Sequence, residues 1–238
     1  MKAFHGDEAV KQKYLARLKA HHAADEIIQG QGWNGSHGCA VGCTLNEYDP
    51  KAYENELGLP QWLARLEDRI FEGLPAVEAK QFAVDFLEAV PVGADVENVR
   101  WKLASQRHAR DRDRLSANPE PYAVQCVAAL DLVIAYCDSE VKTESARSAA
   151  ESAAASVAWS VAWSVAASSA ASAAWSVAWS VAASVAASAW SATWSARSAA
   201  AEWSAWSAAA EWSARSDHFK WEAATLLELL RNAPQAAE

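Results

Sequence analysis

Apolar and polar positions divide this chain into two regimes. Up to about residue 140, apolar residues recur at helical spacing between Gly and Pro punctuation. Gly6 or Asp7 caps a helix expected to reach about Gln29, with Val10, Tyr14, Leu15, Leu18, Ile27 and Ile28 near one face and Gly30 and Gly32 closing it. Pro60 opens a second helix through Phe71, with Trp62, Leu63, Leu66 and Ile70 together and Gly73 beyond its end. A third runs from Pro75 to Ala89 and stops before Pro91. Asp95 caps a fourth reaching about Leu115, ended by Asn118-Pro119, and a fifth begins near Pro121 with Val124, Val127, Leu130, Val133, Ile134 and Cys137. The spacing predicts no strand.

The second regime has a different period. Serine occupies every fourth position from Ser148 through Ser188, and no charge lies between Glu151 and Arg197. Trp159 and Trp163 open a pattern that returns at Trp175 and Trp179 and, degraded, at Trp190 and Trp194. A period of four advances about 40° per repeat around an α-helix. The six tryptophans therefore wind around a helix instead of lining one stripe, and one straight helix would leave about half of them in water.

Two alternatives to a helix follow from the same spacing. In an extended chain Val157, Trp159, Val161 and Trp163 alternate with Ala and Ser, as a strand requires. The tryptophan blocks also recur about every 16 residues, a length suited to one coil of a small β-solenoid. Ala dominates the run and no Gly, Pro, Asn or Asp marks a corner in it, which favours the helix. The fold class read from the sequence is mainly α. A helical domain spans 1–140, with a glycine-rich loop over 30–44; the Ala/Ser/Trp tetrad-repeat region spans 141–217; an amphipathic C-terminal helix occupies 218–238, with Trp221, Leu226, Leu227, Leu229 and Leu230 on its apolar face.

Composition narrows the partners. Over 238 residues the net charge is −9, which argues against duplex nucleic acid, since phosphate binding needs clustered Lys and Arg. The one basic stretch, Arg100 to Arg114, is interrupted by Asp111 and Asp113 and reads as a solvated helix face. Four cysteines and an N-terminus without an apolar leader point to a reduced, cytoplasmic chain. The uncharged run is long enough to span a bilayer, but Ser at every fourth position and flanks without cationic anchors argue against insertion.

The one reactive constellation lies in the loop, where His37-Gly-Cys39-Ala-Val-Gly-Cys43 follows three further glycines. A thiol at a helix N-terminus beside a histidine is the setting that lowers a thiol pKa, so His37 with Cys39 or Cys43 is a candidate nucleophile pair. The same three residues, His37, Cys39 and Cys43, are candidate zinc ligands, without an evident fourth. Two small buried thiols packing a tight glycine turn against the core are the simpler account of the spacing. His21 and His22 point about 100° apart on their helix and cannot share an ion undistorted.

The string His37-Gly-Cys-Ala-Val-Gly-Cys-Thr44 resembles one found in a family of uncharacterised bacterial and phage proteins. Ala24–Gly30, Ala64–Gly73 and Pro91–Asp95 are similar to the same family, so the resemblance covers about residues 1–100 and leaves the repeat outside. It implies no activity.

The expectation is a non-enzymatic binding or assembly protein. Its binding residues are Trp159, Trp163, Trp175, Trp179, Trp190 and Trp194, which contact another copy, another protein or a small aromatic ligand. The alternatives are a Cys/His-centred enzyme or zinc protein at residues 37–43, and an immunity or anti-defence protein by analogy alone.

Overall fold

The computed structural model describes residues 1–117, 121–150, 152–153 and 208–237. The protein is mainly α; among the described residues β-structure is confined to isolated bridges. Trp159, Trp163, Trp175, Trp179, Trp190 and Trp194, and with them the choice between helix and solenoid for the repeat, lie outside the described residues. The chain forms two compact units. The first joins Met1–Arg100 to Ala209–Glu238, and the second is Trp101–Ala208. The sequence places a boundary near residue 140, where helical punctuation gives way to the repeat. The division between compact units falls inside a continuous helix, and the C-terminal segment belongs with the first hundred residues.

In the first unit, α1 (Glu8–Ala23) starts where the Asp7 carboxylate accepts the Ala9 N–H at 2.8 Å. It buries Tyr14, Leu15 and Leu18 and packs against α2 (Ala40–Leu45) and α5 (Ala76–Ala89). The helix ends six residues before Gln29. Asp25 turns into the left-handed region at φ 60°, and residues 26–28 leave the helix to pair with the glycine-rich loop. Ile28 N–H donates to Gly38 O at 2.8 Å and Gly38 N–H to Glu26 O at 3.2 Å, so the backbone partners of that loop come from what the periodicity reads as helix.

Between α2 and α5 lie α3 (Ala52–Leu57) and α4 (Gln61–Gly73). Pro60 and Pro75 stand immediately before α4 and α5, as the punctuation predicts. Basic side chains of α1 satisfy the carbonyls at the ends of its neighbours. Lys11 Nζ donates to Glu88 O at 2.9 Å and Val90 O at 2.7 Å, and Arg17 donates to Thr44 O at 3.1 Å and Leu45 O at 3.0 Å. Gln29 does the same for Phe71 O and Leu74 O at the end of α4.

The second unit is described through most of α6 (Val99–Ser116), α7 (Pro121–Asp138) and a helical stretch over 144–150. Cys126, Leu130, Val133 and Cys137 are buried on α7, about one helical turn apart, and pack with Leu115 and Ala150. Trp101 meets Tyr136 edge-on at 5.6 Å, and Lys142 donates to Tyr136 O and Cys137 O at the end of α7.

The last helix, α8 (Ala208–Arg231), belongs to the first unit from residue 209 onward. Phe219 lies on Gly73, where a Cβ would stand 2.4 Å from the ring. Arg69 pairs with the fully buried carboxylate of Glu222, and Lys220 with Glu78 at 2.9 Å. Beyond α8, Pro234 O accepts the Asp95 N–H at 2.7 Å and Ala236 N–H donates to Gly93 O at 2.9 Å. The same short loop holds Ala3, through Ala3 N–H to Ala94 O and Gly93 N–H to Ala3 O, at 3.0 and 2.8 Å. Residues 93–95 therefore tie down the segments at both ends of the unit.

Candidate functional site

The glycine-rich loop closes on itself around one carbonyl. Cys39 N–H donates to Gln31 O at 2.7 Å and to Gly32 O at 3.2 Å, which seats the Gly32 carbonyl against the start of α2. A Cβ on residue 38 would stand 2.4 Å from that oxygen and one on residue 42 only 1.8 Å. The four-residue spacing of Gly38 and Gly42 is thus the footprint of a backbone atom on one face of a helical turn. Glu72 fixes the loop's entry by accepting the Gly30 N–H, and Asn34 its tip by accepting the N–H groups of Ser36 and His37 at 3.1 and 2.9 Å.

Cys39 is 1 % exposed and Cys43 wholly buried, whereas His37 is half-buried and its Nδ1 lies 2.7 Å from Ser36 Oγ. The structure pairs the histidine with the serine beside it and sinks both thiols into the core. Among the described residues no group of three or more His, Cys, Asp or Glu side chains is arranged to hold a metal ion, His37, Cys39 and Cys43 included. Burial raises the Cys39 thiol pKa far above its ordinary value, with the neighbouring Asp68 charge and hydrogen bond pushing the same way. Cys43 is pushed up to about 11 by burial and lies 3.3 Å from Gly38 O as a donor. These environments are the reverse of the electropositive, partly open setting that activates a nucleophilic thiol. The α2 N-terminus does not offset the desolvation.

Cys39 leads to a pair of residues that the sequence reading passes over. Tyr53 on α3 donates its hydroxyl to Glu67 Oε2 on α4 at 2.7 Å, and both residues are 0 % exposed. The second oxygen of Glu67, Oε1, is buried and has no hydrogen-bond partner among the described residues. Burial raises the Glu67 carboxyl to about 8, and the charge of Asp68 adds to the shift against the opposing Tyr53 bond. Thr44 on α2 lies beside Tyr53 and donates to Ala40 O at 2.9 Å; Tyr48 donates to Asp68 at 2.9 Å on the open side. Cys39, Thr44, Tyr53, Glu67 and Asp68 thus form one polar seam between α2, α3 and α4.

A signal for this seam is present in the sequence. Leu63, Ala64, Glu67, Ile70 and Phe71 are the buried residues of α4, at steps of one, three, three and one. Glu67 occupies a core position of an apolar stripe, where a carboxylate is expected only with a partner or a proton.

No protein-family model matches this chain, and neither a curated protein nor a solved structure matches it.

Proposed function

We propose that this chain is a non-enzymatic binding or assembly protein that presents the Ala/Ser/Trp run from a folded base, as a segment bracketed on both sides. The observation that carries this reading is the return of α8 to the first unit. Residues after the run are built into the same compact body as residues 1–100, through Phe219 on Gly73, Arg69 with Glu222, and the 93–95 loop with Pro234 and Ala236. Bracketed tryptophans suit a contact surface, since each brings a large apolar area and one N–H.

The preferred partner is a second copy, with another protein or a small aromatic ligand as the alternatives, and the immunity role a third reading by analogy alone. Buried thiols with raised pKa favour this class over a Cys/His-centred enzyme at residues 37–43. The four free, buried cysteines accord with a reduced, cytoplasmic setting. Among the described residues no helix is long and apolar enough to cross a membrane.

Light scattering on the full chain eluting from a sizing column tests the proposal. An assembly larger than the 25.6 kDa chain is expected, reverting to that mass when Trp159, Trp163, Trp175, Trp179, Trp190 and Trp194 are all replaced by Ser. A 25.6 kDa species at every concentration, with tryptophan emission unchanged by added nucleosides, contradicts both the second copy and the aromatic ligand.

A further inference from the structure

We propose that Glu67 is a proton-operated latch: with its carboxyl neutral α4 closes on α2 and α3, and loss of that proton opens this corner of the first unit to water. The inference is independent of the tryptophan run.

It starts from the count of donors. A buried carboxylate is stable when several N–H or O–H groups point at it. Among the described residues Glu67 has one, the Tyr53 hydroxyl on Oε2, while Oε1 is enclosed with nothing to accept from. The groups acting on it from each packed element do not make up the deficit. Tyr53 is the donor already counted from α3, and the Thr44 hydroxyl of α2 donates to Ala40 O. Cys39, at the start of α2, is hydrogen-bonded to Asp68, and Asp68 on α4 itself repels a charge on Glu67. The buried face of α5 is apolar throughout, from Ala79 to Ala89, and the charged groups that α8 brings are taken up elsewhere, Glu222 by Arg69 and His218 and Lys220 by Glu78. The closed seam therefore accommodates the acid form. On deprotonation the proton passes to solvent, and the carboxylate left behind gains hydration only by separating these helices.

The carboxyl stands at about 8 in the closed seam against an ordinary 4.5, so opening and proton release are linked. Between these values each pH unit favours the open form by about tenfold, and above them the gain levels off. The closed seam also shields Cys39, so its thiol becomes accessible by the same route.

Native-state hydrogen exchange of the full chain from about pH 6 to about pH 9, corrected for the intrinsic pH dependence of amide exchange, reads this linkage. Protection of the α4 amides is expected to fall by about tenfold per pH unit and to flatten above about pH 8. In Glu67→Gln it is expected to be independent of pH. Should that variant fail to fold, NMR of carboxyl-labelled glutamate in the natural chain carries the test, with one glutamate carboxyl titrating near pH 8. Protection that does not change with pH in the natural chain, or glutamate carboxyls that have all ionised by about pH 6, overturns the proposal.

Discussion

The Tyr53 hydroxyl and Glu67 Oε2 lie 2.7 Å apart with neither residue exposed, and this bond joins α3 to α4. It is the one hydrogen bond that the Glu67 carboxyl receives among the described residues, so removing the donor leaves a fully buried acid unsatisfied at both oxygens. Tyr53→Phe is expected to lower stability by about 1–3 kcal/mol, measured by denaturant unfolding near pH 6. It also removes the one interaction that favours the ionised form, so the Glu67 carboxyl rises further. A variant as stable as the natural chain would show that Tyr53 contributes packing alone.

The same pair makes the first unit sensitive to base. Glu67 is raised in the folded state from 4.5 to about 8. Its contribution to stability is therefore full below pH 4.5 and is lost as pH rises toward about 8, because the folded state holds a proton that the unfolded state has released. Unfolding measured across that window is expected to show stability falling with pH. Glu67→Gln is expected to remove the slope while keeping the Tyr53 contact.

The second unit carries the opposite dependence. His108 on α6 is 0 % exposed, neither ring nitrogen finds a hydrogen-bond partner among the described residues, and burial, aided by the Arg107 charge, lowers its pKa from 6.5 to about 3. A depressed folded pKa means that its contribution is full above pH 6.5 and drains away as pH falls toward about 3. His108→Leu replaces two unsatisfied nitrogens by apolar volume. It is expected to raise the thermal midpoint near neutral pH and to flatten the acid side of the stability profile. An unchanged acid limb would place the sensitivity elsewhere.

Two glycines should respond differently to the same substitution. In Gly42→Ala the new Cβ meets the Gly32 carbonyl at 1.8 Å, a backbone atom that cannot rotate away. Gly30 has open space around its Cβ position but a φ of +78°. Gly30→Ala is expected to cost about 1–2 kcal/mol for the left-handed conformation. Gly42→Ala is expected to exceed the roughly 1–3 kcal/mol of ordinary overpacking and to separate α2 from the loop. Equal costs in chemical denaturation would contradict the role given to Gly32.

Periodicity and punctuation located α4, α5 and the body of α8, because each has a terminal Pro or Gly and an apolar stripe of at least three turns. They overran α1, since Ile27 and Ile28 continue its spacing while Asp25 breaks it through a dihedral angle that no composition signals. The six-residue helices α2 and α3 are too short to display a period. His37, Cys39 and Cys43 stood out through their chemistry, but reactivity depends on burial, which local spacing does not encode. Glu67 was legible as a charged residue within an apolar stripe, yet its partner Tyr53 comes from another helix, and only folding brings them together. The return of α8 to Gly73 and Arg69 was equally hidden, because an amphipathic helix does not state which face it will meet.

The most direct measurement replaces residues 101–208 by a long Gly/Ser linker and compares the shortened protein with the full chain by circular dichroism, thermal unfolding and light scattering. If the first unit is a self-contained base that brackets the tryptophan run, the shortened protein is helical, unfolds in one cooperative transition and is monomeric, while the full chain assembles. A shortened protein without a cooperative transition, or one that assembles as the full chain does, would contradict it.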